Sequence, residues 1–197
     1  MDTMNAIRSR KSFRGPFTDA PVSREDLTEL LEAGYSAPSG CNLQTTKLIG
    51  VDDPELLAGL AEIYNHEWAK GATAAILLIG SFTMSPSGVS YHVHDYCAAA
   101  ENIYLAAADK GLGTVWIEGQ IRGERAEKMG RLLGVPEDQT VYVYMPVGYP
   151  AKPGPQAKKK PFEERAWFNR YGGTGSCSSP ESEQSAFGTL NFPAPHS

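Results

Sequence analysis

The sequence predicts an α+β domain. Segments whose apolar residues recur every three or four positions, as in amphipathic helices, alternate with short apolar segments typical of β-strands. These two kinds of segment are interleaved along the chain, so a single shared core is the simplest arrangement. The chain has 197 residues, of which 41% are hydrophobic and 21% charged, and this balance is typical of a globular domain with a sizeable core.

Two of the predicted helices begin at capping residues. Ser23 followed by Asp26 resembles a capping box and starts a helix over about 23–36, which the segment "SAPSG" ends. Asp53 as the N-cap, with Pro54 in the first helical position, starts another helix with apolar residues at helical spacing. A shorter helix is predicted just before Arg10.

The remaining elements follow from composition and periodicity. An Ala-rich helix over about 91–109 is predicted to be central and buried, and an amphipathic helix over 123–134 ends at Gly134. The run at 73–82 is apolar throughout, as expected of a strand covered on both faces. Further strands are predicted over 46–51, 114–119 and 140–149.

We predict one domain over residues 1–171, followed by a tail over 172–197. The tail is rich in Gly, Ser and Pro and has few apolar residues, so it is expected to be disordered.

Charge and cysteine content narrow the function classes. A formal net charge of -5 argues against general nucleic-acid binding, which needs a cationic face. Cys41, Cys97 and Cys177 form no C-x-x-C pair, so neither a disulfide framework nor a zinc knuckle is indicated. The N-terminus lacks an apolar signal-peptide core and the longest apolar run is too short for a bilayer, so we expect a cytoplasmic protein without a membrane partner.

The segment "RSRKSFRGPF" at 8–17 is unusual in an acidic chain. Arg10, Lys11, Ser12 and Arg14 lie after a short helix, where several donors could converge on a small anion such as a phosphate monoester. Taken alone, the cluster is also compatible with a solvated surface patch.

Three other segments are candidate ligand contacts. The loop "APSGCNLQ" at 37–44 is rich in backbone and amide donors, the strand before Glu118 and Gly119 ends where backbone amides could face a ligand, and "AKKKP" at 157–161 is basic. Each also has an ordinary structural explanation, as a turn, a strand end or solvated lysines.

Other chemistry is weakly indicated. His92, His94 and Asp95 make a poor metal site because the two histidines would point to different helix faces, so no metal is predicted. Cys41 is a candidate reactive thiol without a matching His or Asn arrangement. The chain contains neither G-x-G-x-x-G nor G-x-x-x-x-G-K-[ST], so a Rossmann or Walker phosphate loop is not supported.

In order along the chain, "SRKSFR", "SAPSGCNLQ", "AAAENIYLAAADKGLGTVWIEG", "VPEDQTVYVYMPVGYPAKP" and "KKKPFEERAWFNRYG" resemble the FMN-dependent nitroreductase family over about residues 4–172. The resemblance implies a three-layer α-β-α sandwich with a mixed, mainly antiparallel sheet. It also implies an intertwined homodimer with two FMN sites at the subunit interface.

The resemblance also assigns residues to the cofactor. Arg10, Ser12 and Arg14 match the family's phosphate and ribityl contacts, with Lys11 as a neighbouring donor. The backbone amides of Glu118 and Gly119 match the segment that meets the flavin N5 and O4 edge. The loop that reaches the flavin from the other subunit is matched by Pro38, Ser39, Gly40, Asn42 and Gln44, and Asn65 loosely matches a contact to the pyrimidine end.

The chain departs from the family pattern in two places. In the late basic-x-basic-x-Pro pattern, Lys159 fits but Ala157 does not, and Lys158 or Lys160 is the expected substitute. After Gln44, Thr45-Thr46 stands where many members have Pro-Trp. The stretch from Phe82 to Tyr91 is also short, which implies a small substrate lid.

The function implied by the resemblance is a ping-pong oxidoreductase. NADH or NADPH would reduce FMN, and an electron-poor acceptor such as a nitroaromatic or quinone would then be reduced at the same face. No catalytic side chain is assigned, because the cofactor carries the reactive atom. The alternative is a flavin-binding or redox-sensing protein with little turnover.

Overall fold

The computed structural model describes residues 1–173. These residues belong to two compact units, one spanning Met1–Ala157 and a second that begins at Lys158. The predicted domain boundary at 171 stays a prediction. The predicted tail, apart from its first two residues, lies outside the described residues.

The first unit contains five helices and four strands. The helices are α1 Thr3–Ser9, α2 Arg24–Tyr35, α3 Pro54–Tyr64, α4 His92–Asp109 and α5 Glu124–Leu132. The strands are β1 Thr46–Val51, β2 Ala74–Gly80, β3 Gly113–Thr114 and β4 Thr140–Gly148. Short 3-10 turns cover Gly40–Asn42 and Glu67–Gly71 in this unit, and Phe162–Glu164 in the second.

The predicted helix starts are confirmed in atomic detail. Ser23 Oγ accepts a hydrogen bond from the Asp26 amide at 2.9 Å, which satisfies one of the free amides of the first turn of α2. Asp53 does the same for α3, accepting from the amides of Glu55 and Leu56. Asp2 caps α1 by accepting from the Asn5 amide, a cap that the sequence reading missed.

The four strands form one sheet in the order β1-β2-β4-β3. All of the strand pairs are antiparallel, and the parallel component of the predicted mixed sheet is reduced to an isolated bridge between Ser12 and Thr114. Strand β2 is buried along its whole length, as its unbroken apolar run predicted.

Helices cover both faces of the sheet. Because side chains alternate along β2, Ala74, Ile76 and Leu78 pack on one face with α2 and α4. Residues 75, 77 and 79 pack on the other face with α3 and α5. The predicted α+β class and the three-layer sandwich are therefore confirmed.

The predicted strand over 114–119 is wrong for most of its length. Regular pairing ends at Thr114, and only Ile117 returns to bridge Tyr144 of β4. One cause is that the same register places Val115 opposite Pro146, which has no amide N–H to donate to the ladder. The Trp116 amide donates to the Tyr104 hydroxyl at 2.7 Å. The sequence periodicity was compatible with a strand because Val115 and Ile117 are both buried.

Candidate active site

The basic cluster after α1 is held against α4. Arg10 Nε lies 3.3 Å from Glu101 Oε1, and the Arg10 guanidinium carbon lies 4.8 Å from the centroid of the Tyr104 ring. Lys11 Nζ donates to the Gly154 carbonyl at 3.2 Å. Two of the predicted cations are thus fixed in position by the fold.

Ser12 and Arg14 complete the cluster at the surface. Both are exposed, and Ser12 Oγ lies 3.2 Å from the Tyr104 hydroxyl. The Phe13 amide donates to the Thr114 carbonyl at 2.8 Å, while the Phe13 side chain is buried. Burial of Phe13 between them therefore leaves Ser12 and Arg14 facing solvent.

A chain of hydrogen bonds connects this cluster with the segment around Glu118. The Tyr104 hydroxyl contacts Ser12 and accepts from the Trp116 amide, and Trp116 Nε1 donates to Glu118 Oε2 at 3.3 Å. Gly119 follows and is exposed, with open space where a Cβ would stand. The structure therefore joins the predicted phosphate end and the predicted ring end through one tyrosine.

Glu118 is a half-buried carboxylate with three donors. Its Oε1 accepts from Tyr96 at 3.0 Å and from Arg122 at 2.5 Å, and its Oε2 accepts from Trp116. Burial raises its pKa, but the hydrogen bonds from Arg122, Tyr96 and Trp116 together outweigh that and leave the pKa below its usual range. Glu118 is therefore ionised at neutral pH.

The loop after α2 surrounds a cavity of about 300 Å³. Four of the predicted loop contacts line it: Pro38, Ser39, Asn42 and Gln44. The loop turns tightly, because the backbones of Cys41, Asn42 and Gln44 are in the left-handed region. The Ser39 Oγ accepts a hydrogen bond from the backbone amide of Gln44 at 3.0 Å. Amide side chains are therefore presented at the edge of a concave surface.

Asp95 anchors this loop to α4. It is only 3% exposed, and it accepts from the Gly40 amide at 2.8 Å and from Thr45 Oγ1 at 2.7 Å. The buried carboxylate thus ties the start of the 3-10 turn to the residue just before β1. Sequence analysis considered Asp95 only as a metal ligand and missed this role.

The loop and the basic cluster are anchored on opposite sides of α4. Tyr104 follows Asp95 by nine residues, which at helical geometry is about 13 Å along the axis and about half a turn around it. Within one chain, the anchor of the loop and the anchor of the Arg10 and Ser12 cluster are therefore well separated on α4.

The remaining predicted contacts are less well defined. Asn65 is the C-cap of α3, exposed and in the left-handed conformation. Lys158 and Lys159 are exposed at the start of the second unit, and their assignment to the phosphate stays a prediction.

No metal site emerges from the described part of the chain, and Cys41 stays a candidate thiol that is free and exposed. No group of three or more His, Cys, Asp and Glu side chains within residues 1–173 could hold a metal ion. Cys97 is half-buried, and burial raises its pKa, which disfavours the thiolate. Across the same residues, every helix is too short or too polar to span a lipid bilayer.

A family comparison agrees with this geometry. The model of the nitroreductase family matches residues 7–81 and 64–149 of the chain. The chain belongs to the nitroreductase family.

Proteins with similar sequences have oxidoreductase names. An Archaeoglobus fulgidus protein, provisionally named an NADH dehydrogenase/NAD(P)H nitroreductase, is 35% identical over 150 residues, covering 76% of this chain and 86% of its own. A Staphylococcus haemolyticus NADPH-dependent oxidoreductase is 31% identical over 174 residues, covering 79% of this chain and 68% of its own.

Solved nitroreductase-family structures share the fold. An FMN-dependent nitroreductase from Clostridium difficile superposes with a TM-score of 0.71 at 26% identity, covering 85% of this chain and 99% of its own. An NADPH:FMN oxidoreductase from Vibrio harveyi, complexed with NAD⁺, has a TM-score of 0.68 at 27% identity, covering 80% and 72%. The family and the oxidoreductase class expected from the sequence are confirmed.

Sequence reading missed the residues of α4 that organise the site. Tyr96 and Tyr104 belong to the helix predicted to be buried, and both are 3% exposed, yet each hydroxyl bonds a predicted site segment. Their hydroxyl groups could have indicated this role, because a buried tyrosine hydroxyl usually has a hydrogen-bond partner.

Proposed function

We propose that this nitroreductase-family protein binds FMN and transfers electrons from NADH or NADPH to an electron-poor acceptor, such as a nitroaromatic or a quinone. Donor and acceptor would use the same face of the cofactor in turn, in a ping-pong sequence. The single observation that carries the proposal is the hydrogen-bonded connection from Ser12 through Tyr104 and Trp116 to Glu118, because it joins an anion-binding end to an open backbone edge.

The basic cluster fits the phosphate of FMN. Two guanidinium groups, an ammonium and a hydroxyl offer directional donors to an anion that carries close to two charges at neutral pH. Arg10, Lys11 and Ser12 already have fixed contacts, so little side-chain freedom would be lost on binding. Arg14 is exposed and would supply the remaining charge.

The segment at Glu118 and Gly119 fits the ring end. Gly119 has open space in place of a side chain, so a flat ring could approach its backbone closely. Backbone amides there would donate to the ring edge where negative charge develops on reduction. The Glu118 carboxylate forms an ion pair with Arg122, which balances its charge, so it would oppose the negative charge on the ring only weakly.

The loop with the 300 Å³ cavity fits the cofactor of a second copy. Because Asp95 and Tyr104 lie on opposite sides of α4, we propose a homodimer in which each loop closes over the FMN bound to the partner chain. Pro38, Ser39, Gly40, Asn42 and Gln44 would then complete the partner's site.

When bound, FMN would supply two-electron chemistry between a nicotinamide and the acceptor. The protein's own residues would bind the phosphate, orient the ring and limit solvent access, and this division of labour requires no side-chain acid or base.

The test is the absorbance spectrum of the purified protein, followed by steady-state NADH and NADPH oxidation with menadione or a nitroarene. We expect a yellow protein that turns over well above the rate of free FMN. A yellow protein no faster than free FMN would indicate a flavin-binding protein instead, and a colourless protein that takes up no FMN would overturn the proposal.

A further inference from the structure

We infer that Tyr104 is a positioning residue that prepares Arg10 and Ser12 for the phosphate and fixes their placement relative to the 116–119 segment. This inference rests on the proposed function, because it concerns how the same site holds FMN. Tyr104 touches three parts of the chain: the Arg10 guanidinium, the Ser12 hydroxyl and the Trp116 amide.

The hydrogen bonds around the Tyr104 oxygen give Ser12 a direction. The Trp116 amide can only donate, so the phenol oxygen accepts from it at 2.7 Å. The phenol hydrogen is then free to donate to Ser12 Oγ, 3.2 Å away. With its oxygen accepting from Tyr104, the exposed Ser12 hydroxyl can direct its own hydrogen outward to an anion.

The ring of Tyr104 acts on Arg10. The guanidinium carbon lies 4.8 Å from the ring centroid, within the range of a cation–π contact, and Glu101 holds the Nε edge. Tyr104 itself is 3% exposed, so the ring is a fixed platform. Arginine has many rotamers, and restraining it before binding reduces the entropy that a ligand must offset.

The structure therefore predicts an effect that depends on the phosphate. Removing only the Tyr104 hydroxyl would disturb Ser12, which serves the phosphate, and would leave the Trp116 amide without its acceptor. The second effect acts on both flavins, and the first acts mainly on FMN. Riboflavin has the same ring system and ribityl chain as FMN but lacks the phosphate. A residue that acts through Ser12 and Arg10 lowers the affinity for FMN more than that for riboflavin, whereas a merely structural residue lowers both equally.

The experiment compares the Kd values of FMN and riboflavin for the purified full chain, its Tyr104→Phe variant and a Tyr149→Phe control. Tyr149 also loses one hydroxyl contact, to Asp26 Oδ2 at 3.4 Å, but touches none of the predicted FMN contacts. We expect Tyr104→Phe to weaken FMN binding about three- to tenfold, as for loss of one hydrogen bond, and to weaken riboflavin binding less, so that the ratio of the two affinities falls. The control should leave both affinities unchanged.

A double-variant measurement adds a second criterion. If Tyr104 acts through Ser12, then Tyr104→Phe should cost little further FMN affinity in a Ser12→Ala background. Full additivity of the two losses would overturn the inference, as would an unchanged ratio of FMN to riboflavin affinity in Tyr104→Phe.

Two other outcomes are separable. If the unaltered protein binds neither flavin, the proposed function fails, and the inference fails with it. If Tyr104→Phe does not fold, 3-fluorotyrosine at position 104 keeps the hydroxyl but makes it a stronger donor. The ratio of FMN to riboflavin affinity must then change, and an unchanged ratio would overturn the inference.

Discussion

Replacing Asp95 with Ala tests how the loop over 38–44 is held. The substitution removes the acceptor of two hydrogen bonds, from the Gly40 amide at 2.8 Å and from Thr45 Oγ1 at 2.7 Å. Hydrogen bonds to a charged group contribute about 1.5 to 3 kcal/mol each. Because Gly40 and Thr45 are only partly buried and can rebind water, we expect a loss near the lower end, about 3 kcal/mol in total.

The assay is urea unfolding followed by circular dichroism, together with amide hydrogen exchange at Gly40. Thr45→Val removes one of the two bonds and should cost about half as much. Asp95→Asn keeps an acceptor of the same size and should cost about 1 to 2 kcal/mol. An Asp95→Ala protein within about 0.5 kcal/mol of the parent, with unchanged exchange at Gly40, would refute the anchoring role.

Three further predictions concern the proposed cofactor site and acid stability. Replacing Arg10 and Arg14 together with Ala should weaken FMN binding by about 3 kcal/mol, or about 150-fold, and leave oligomeric state by gel filtration unchanged; unchanged affinity would reject their role. Gly119→Ala should leave the urea midpoint unchanged, since its Cβ meets nothing within 4 Å, but should lower FMN affinity, and equal affinity would place the ring elsewhere. Lys110 holds the Asp26 pKa below its ordinary 3.8, so that stabilisation is present above this pH and lost as pH falls through the lower folded value; Asp26→Asn should therefore reduce the drop in urea midpoint between about pH 5 and about pH 2.5.

The sequence was sufficient for most of the fold because its signals are local. The Ser23 cap, the Asp53-Pro54 start and the apolar run of β2 each depend on a few neighbouring residues, and all three are confirmed in the structure. The failure at 115–119 is equally instructive. Its alternation of buried residues suits a strand, but a proline of β4, distant along the chain, lies opposite Val115 and offers no amide N–H to the ladder.

The candidate site could be predicted only in part for the same physical reason. The segments proposed for it were chosen for donors, glycines and charges, which are local features of composition. The residues that join them were missed because Asp95 and Tyr104 act on positions 55 and 92 residues away along the chain. Long-range pairing of this kind has no periodicity from which it can be read.

The proposed contribution of a second copy is a further feature beyond the reach of local patterns. A loop rich in amides at 38–44 suggests a ligand contact, but it does not indicate whether that ligand is bound to the same chain or to a second copy. The placement of Asp95 and Tyr104 on opposite sides of α4 is the observation behind the proposal that the loop meets the ligand of another chain.

The most direct test of the central claim is a crystal structure of the protein grown with excess FMN. We predict the phosphate within hydrogen-bonding distance of Arg10, Ser12 and Arg14, the ring edge against the backbone of Gly119, and the 38–44 loop of a second copy over the ring. A structure in which those side chains point to bulk water, or in which one chain alone encloses the flavin, would contradict it.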